Sequence, residues 1–443
     1  MKKFKSDIIN HQSGQISSPY SEKLDFYEYT TSNGMECVFY KDNTNPIVNL
    51  TIGYKVGSKD EPQGKKGIAH LFEHLMFQGS ENVPRGAHFQ FIQDMGGLCN
   101  AFTMQDLTVY FDIAPSNQLE TILWLESDRM NALDLTNENL DNQKGVVIEE
   151  KKQRYENAPY GMAFHNMFKL VMQGSQYQDP VIGFEDDIHS FSLQEAIDFH
   201  KSYYSPQNAV LVLSGDFEID NAKKLIEKYF GGIENKPIPP RISNNIHPME
   251  GDIHTKSYDD VYLPVIYFAY QIPKSGTDED YTLDYFANIL ANDESSRLHK
   301  KLIYDMLIAK SVHAVKYQLQ DAGIFILRVE LLSNGNIDEV EKLVTDEIEN
   351  VIKYGFSDYE YEKIRNGLEF SNTTSITTLQ KIGLETLFNK VLFNDVDLIN
   401  RKVKNYLSYT KDDIIGSAKE YFEDKYKFVM KYLPNNVNGS GDN

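Results

Sequence analysis

The chain has 443 residues, 41% of them apolar and 25% charged, a balance that excludes wholesale disorder and length enough for two or three domains. Its 44 Lys and Arg against 65 Asp and Glu leave a formal charge of −21 with no long basic block, which argues against nucleic acid as a partner. No apolar run reaches the roughly 18 residues a membrane helix needs, and two cysteines, Cys37 and Cys99, with no Cys-x-x-Cys pair, read as buried free thiols.

The N-terminus, MKKFKSDIINHQSGQ, begins basic but has no apolar run behind it. As written it is not a secretory signal, so the chain is expected in the cytoplasm, or in the periplasm if a signal has been removed. Residues 24–30, 36–40 and 47–56 read as strands, with an Asn33-Gly34 turn between the first two. A helix-period segment follows at about 65–78, then a strand, LCNAFTMQDLTVYFDIA. Helices are expected from Ser116 to about Leu133 and from Thr136 to about Asn157, each with a fitting N-cap. NAVLVLSGDF (208–217) is a buried strand, with a helix after it at about 219–230.

Residues 233–252 carry Pro237, Pro239, Pro240 and Pro248 among polar side chains and read as a linker. The order then restarts. VYLPVIYFAYQIP is a strand, YTLDYFANILA a helix and HAVKYQLQDAGIFILRVEL two strands; helices continue to about 423, and KFVMKYL is a last strand. A strand-then-helix pattern shared by IVNLTIGYKVGSKDEP and PVIYFAYQIPKSGTDED suggests a duplicated α+β unit. The polar tail NNVNGSGDN reads as disordered.

The segment GIAHLFEHLMFQG (67–79) carries the chemistry. At 100° per residue, Ile68, Leu71, Phe72, Leu75 and Met76 make an apolar stripe, and His70, Glu73 and His74 gather opposite it. Histidines at i and i+4 lie one turn apart and can meet one ion, and Glu73 can face water there without being a ligand. The bland alternative is a solvated polar face. A catalytic zinc needs three protein ligands and an open position. On the 136–157 helix, Leu140, Gln143, Val147, Glu150 and Arg154 share a core-facing strip, so Glu150 points inward, where an unpaired carboxylate is costly. Either a metal or a salt bridge would resolve that cost. Glu149 lies about 100° around the helix, on the exposed side.

With these pieces the chain resembles the pitrilysin family of inverzincin metallopeptidases, in the style of its short bacterial two-domain members. The matching segments run in family order: NPIVNLTIGYKVGSKDEPQGKKGIAHLFEHLMFQGS, GGLCNAFTMQDLTVYF, KGVVIEE and YYSPQNAVLVLSGDF, then more weakly VYLPVIYFAYQIP and ESSRLHKKLI. The resemblance implies one Zn²⁺ per chain, with His70, His74 and Glu150 as ligands and Glu73 as general base. It implies that LCNAFT is the edge strand to which a substrate peptide adds, with Asn100 and Ala101 beside the scissile bond. Relatives have a glutamate two turns before the ligand Glu; here that place is Gln143, which can hydrogen-bond near the site but carries no charge.

The resemblance also implies the architecture: α+β, two similar halves, each a mainly antiparallel sheet packed against helices. The expected divisions are 1–235 for the zinc-bearing half, 236–252 for the linker and 253–443 for an inactive homologous half. The expected function is zinc-dependent hydrolysis of short unfolded peptides in a closed chamber. The alternative is a catalytically inactive scaffold or peptide-binding subunit of the same fold. Active single-type relatives carry an Arg and a Tyr, seven residues apart, in the second half. The aligned places here are Ile303 and Lys310, with Arg297 and Tyr304 nearby. A chain with the metal site but without that pair is expected to work with a homologous subunit that supplies it, or else as a homodimer.

Overall fold

The computed structural model describes residues 23–435 apart from Ser243. The basic N-terminal segment and all but the first residue of the polar tail therefore lie outside the described residues. Among the described residues no helix is long and apolar enough to cross a membrane.

Six strands form the first sheet: β1 (Phe26–Thr30), β2 (Glu36–Lys41), β3 (Ile47–Tyr54), β4 (Leu98–Thr103), β5 (Thr108–Pro115) and β6 (Ala209–Gly215). Five form the second: β7 (Ile253–Asp259), β8 (Val265–Ile272), β9 (Ala309–Gln318), β10 (Gly323–Leu331) and β11 (Phe428–Pro434). The spatial orders are β1-β2-β6-β3-β5-β4 and β7-β11-β8-β10-β9. With β1 set aside, the two orders superimpose strand for strand. Each sheet has one parallel pair, β2 with β6 and β7 with β11, and every other pairing is antiparallel. The faint sequence repeat is thus a repeat of topology, and the fold is α+β in two similar sheet-and-helix halves.

Several local readings change, and helices at Ala163–Val171, Glu185–Ser190 and Leu193–Tyr203 fall where the sequence suggests no element. The expected single strand at 98–114 is a hairpin, because Gln105 and Asp106 turn the chain between β4 and β5 and the Met104 N–H closes on the Leu107 carbonyl at 2.8 Å. A helix at Ala87–Asp94 escaped notice, since only His88 and Ile92 of it are buried. Strand β7 also escaped; its sequence IHTKSYD is mostly polar, and it lies at the sheet edge with no residue fully buried.

The helices of the first half are α1 (Ile68–Leu75), α2 (Ala87–Asp94), α3 (Leu119–Asn131), α4 (Asn137–Lys151), α5 (Ala163–Val171), α6 (Glu185–Ser190), α7 (Leu193–Tyr203) and α8 (Ile219–Phe230). Those of the second are α9 (Glu279–Leu290), α10 (Arg297–His299), α11 (Ile337–Tyr354), α12 (Asp358–Ser375), α13 (Leu379–Phe393), α14 (Leu398–Ser408) and α15 (Lys411–Phe422). One face of each sheet packs on helices of its own half. The other face is covered by a helix from the opposite half. Ala163, Met167, Phe168 and Val171 of α5 bury against Val265, Tyr267, Ile324 and Ile326 of the second sheet. Leu387 of α13 buries against Val38, Val109, Val210 and Val212 of the first.

Gly53 of β3 makes the second contact possible, since a Cβ there would stand 2.8 Å from Leu387 Cδ2. Leu387→Ala is expected to lose about 2–5 kcal/mol of stability, read as a lower urea midpoint for the whole chain. An unchanged midpoint would mean that α13 does not brace the first sheet.

Candidate metal centre and cleft

Helix α1 begins at Gly67, whose φ of 98° favours glycine. A Cβ there would meet the Ile182 carbonyl oxygen at 2.8 Å. The first orphan N–H groups of the helix are taken by the buried Glu61: its two carboxylate oxygens accept from Gly67 and Ala69, each at 2.9 Å. Burial pushes the Glu61 carboxyl up to about 8, while those two N–H groups pull the other way. Leu71, Phe72 and Leu75 fix the opposite face in the core. The helix is therefore held at its end and along its side, and its polar face is set toward a cleft.

On that face the His70 and His74 rings lie 5.0 Å apart between centroids. Glu150 reaches them from α4. Its Oε2 is 3.3 Å from His74 Nε2 and 3.9 Å from His70 Nε2. One donor atom from each of the three lies within 4.8 Å of the others. Burial, helped by His74, holds the His70 imidazole down at about 4, in the neutral form that can ligate. The His74 hydrogen bond holds the Glu150 carboxyl below the usual range. Glu150 Oε1 is paired with Arg154 at 2.7 Å, so the salt bridge weighed from the sequence is present on one oxygen while the other faces the histidines. Glu149 is exposed and pairs with Lys152 at 3.3 Å.

The residues present fit a metal ion. Two imidazoles and one carboxylate converge, a set that suits zinc with an open fourth position. His70 Nδ1, although buried, has no protein hydrogen-bond partner. Glu73, between the histidines in sequence, lies in the same cleft; its Oε2 accepts a hydrogen bond from Thr103 Oγ1 at 2.7 Å, and burial raises its carboxyl.

The cleft is a cavity of about 650 Å³. One wall is β4, the outermost strand of its sheet, whose residues Asn100, Ala101, Phe102 and Thr103 line it. Asn100 Oδ1 accepts the Ala101 N–H at 2.9 Å. Gln143 also lines the cavity, and its amide nitrogen is turned to Asn142 Oδ1 at 3.0 Å. Among the described residues of the second half only Tyr317 of β9 reaches this lining; its hydroxyl meets Gln105 Oε1 at 3.2 Å. Ile303 packs against the second core, and Lys310 pairs with Glu330 at 2.9 Å. Arg297 is bound to Glu360 and Glu347, and Tyr304 is half exposed. None of these four lines the cleft.

A second convergence, His88, Cys99 and Asp112, lies away from the cavity lining. Here Arg129 is bound to Glu126 and stacked over Phe77 and Tyr110, and Asp112 is hydrogen-bonded to Glu126. One guanidinium and two carboxyls raised by burial can balance by holding one proton between them. We read this as a buried core network.

Sequence reasoning missed Glu61, Thr103 and Tyr317. An acid six residues before Gly67 is a faint capping signal; the Thr103 contact joins residues thirty apart in sequence and has no local signature.

The chain is similar to known proteins along most of its length. The family described as Insulinase (Peptidase family M16) matches residues 37–184, and the Peptidase M16 inactive domain matches 190–368. The zinc protease PqqE of Helicobacter pylori is 28% identical over 414 residues, 91% of this chain and 92% of that protein. The uncharacterized zinc protease YmxG of Bacillus subtilis is 22% identical over 402 residues, 91% of this chain and 97% of that one. A crystal structure of a protease from Helicobacter pylori matches with a TM-score of 0.87 at 26% identity, covering 93% of this chain and all 100% of that chain.

Proposed function

This chain belongs to the M16 peptidase family, the insulinase or pitrilysin family, and on that premise we propose that it is a zinc-dependent endopeptidase acting on short unfolded peptides. The observation that carries the reading is the meeting of His70, His74 and Glu150 within 4.8 Å, with Glu73 in the same cleft beside a free strand edge. His70, His74 and Glu150 would hold one Zn²⁺. Zinc, when bound, supplies Lewis-acid polarisation of a carbonyl and acidifies water. Glu73 is the general base: it takes a proton from the attacking water and passes it to the leaving amine. Strand β4 orients the substrate as an added strand, with main-chain bonds near Asn100 and Ala101. The Asn100 side chain, which holds the Ala101 N–H in the free chain, would give way to the peptide.

In this reading residues 1–235 are the zinc-bearing half, 236–252 a linker and 253–443 an inactive half. The match to the inactive domain, residues 190–368, falls wholly after His70, His74 and Glu150, so it does not favour the scaffold alternative. Among the described residues the second half brings Tyr317 to the cleft but no Arg, and Ile303 and Lys310, at the aligned places of the relatives' Arg and Tyr, do not line it; one oxyanion donor is worth about 10²–10³ in rate. We therefore place the chain as one subunit of a chamber closed by a homologous chain that brings those groups.

The test is cleavage of an unstructured fluorogenic peptide. Cleavage is expected to stop with chelator and return with added zinc, and to rise when a homologous subunit carrying the Arg and Tyr is added. Chelator-insensitive cleavage would overturn the zinc assignment. Full activity from the chain alone, with no gain on adding the homologue, would overturn the pairing.

A further inference from the structure

We propose that Thr103 is a positioning residue for Glu73, holding one carboxylate oxygen so that the other stays free for the reacting water. The proposal rests on the peptidase reading and goes beyond it, because that reading gives Thr103 no role. Thr103 Oγ1 donates to Glu73 Oε2 at 2.7 Å. A carboxylate at the end of a flexible two-carbon stem turns freely unless something fixes it, and a buried one is fixed by whichever donor it can reach.

Thr103 is well placed to serve because its own position is set independently of Glu73. It pairs with Thr108 across the β4–β5 hairpin. The residue before it, Phe102, sets its ring at a tilt against Phe388 of α13, with ring centroids 6.4 Å apart. The hairpin tip beyond it is tied down as well. Asp106 accepts from Lys59 at 3.2 Å, from Tyr177 at 2.7 Å and from the Gln320 N–H at 2.9 Å, and Gln105 accepts from Tyr317 at 3.2 Å. Phe388, Gln320 and Tyr317 belong to the second half. Its contribution to chemistry is therefore mechanical: it anchors the strand that aims the base. The same strand carries Asn100 and Ala101, so a peptide added to β4 and the carboxylate of Glu73 are referred to one rigid element. A misplacement of about 1 Å in such an arrangement can cost on the order of 10²-fold.

The experiment compares Thr103→Val, which keeps the shape and removes the hydroxyl, with Thr103→Ser, which keeps the hydroxyl. Both are made in the full, zinc-loaded chain, assayed with the homologous subunit present, on an unstructured fluorogenic peptide. Thr103→Val is expected to lower kcat about 10- to 100-fold with KM unchanged. Thr103→Ser should recover most of that loss. Zinc content and thermal midpoint should match wild type in both. On a Glu73→Gln background, Thr103→Val should lower the residual rate no further and leave binding of the uncleaved peptide unaltered. Wild-type kcat in Thr103→Val, equal loss in Thr103→Ser, or losses that multiply in the double variant would each overturn the proposal while leaving the peptidase reading intact. A wild-type chain that cleaves nothing, or a fully active Glu73→Gln variant, would overturn the peptidase reading itself, and Thr103's role with it.

Discussion

Glu73→Gln is expected to keep zinc at one per chain and to lose about 10²–10⁴-fold in kcat. Glu73 lines the same cleft, yet the group of side chains that could hold a metal ion is His70, His74 and Glu150 without it. Gln has nearly the same shape and can still accept from Thr103, so packing and metal geometry should persist while the group that moves a proton is gone. Metal analysis after dialysis, paired with steady-state rates, checks both halves of the expectation. Native-rate cleavage by the zinc-loaded variant would remove Glu73 from the mechanism.

The second large effect belongs to the ligands. His70→Ala, His74→Ala and Glu150→Ala are each expected to lose zinc and, with it, activity. Two donors leave a site one short of the three protein ligands a catalytic zinc requires. Glu149→Ala is the matched control, since Glu149 lies on the exposed side of α4 with Lys152 as its partner. Should Glu149→Ala lose zinc while Glu150→Ala retains it, the third ligand has been assigned to the wrong neighbour. Glu150→Ala has a further consequence: Arg154 is left without the carboxylate it pairs with at 2.7 Å. Glu150→Gln, which keeps an oxygen for Arg154, separates loss of the ion from local disturbance.

Much of this was legible in the sequence because the signals were local. The i, i+4 histidines and the stripe of Ile68, Leu71, Phe72 and Leu75 are a helix and a site in eight residues, and Leu140 with Val147 states which way Glu150 faces. What could not be read was set by distant partners. Thr103 meets Glu73, Tyr317 meets Gln105, and Asp106 turns the hairpin while bound to Lys59, Tyr177 and the Gln320 backbone. Strand β7 was hidden for another reason. Its exposed-edge sequence has little apolar alternation, and it is a strand because β11 pairs with it in parallel.

The exchange of helices between the halves bears on whether either half could stand alone. One half taken alone would present the face of Val38, Val109, Val210 and Val212 to water, because its cover is α13 of the other half. The second half taken alone would bare Val265, Tyr267, Ile324 and Ile326, whose cover is α5. Each half therefore needs the other to close its second face, and separating them would bare both sheets at once.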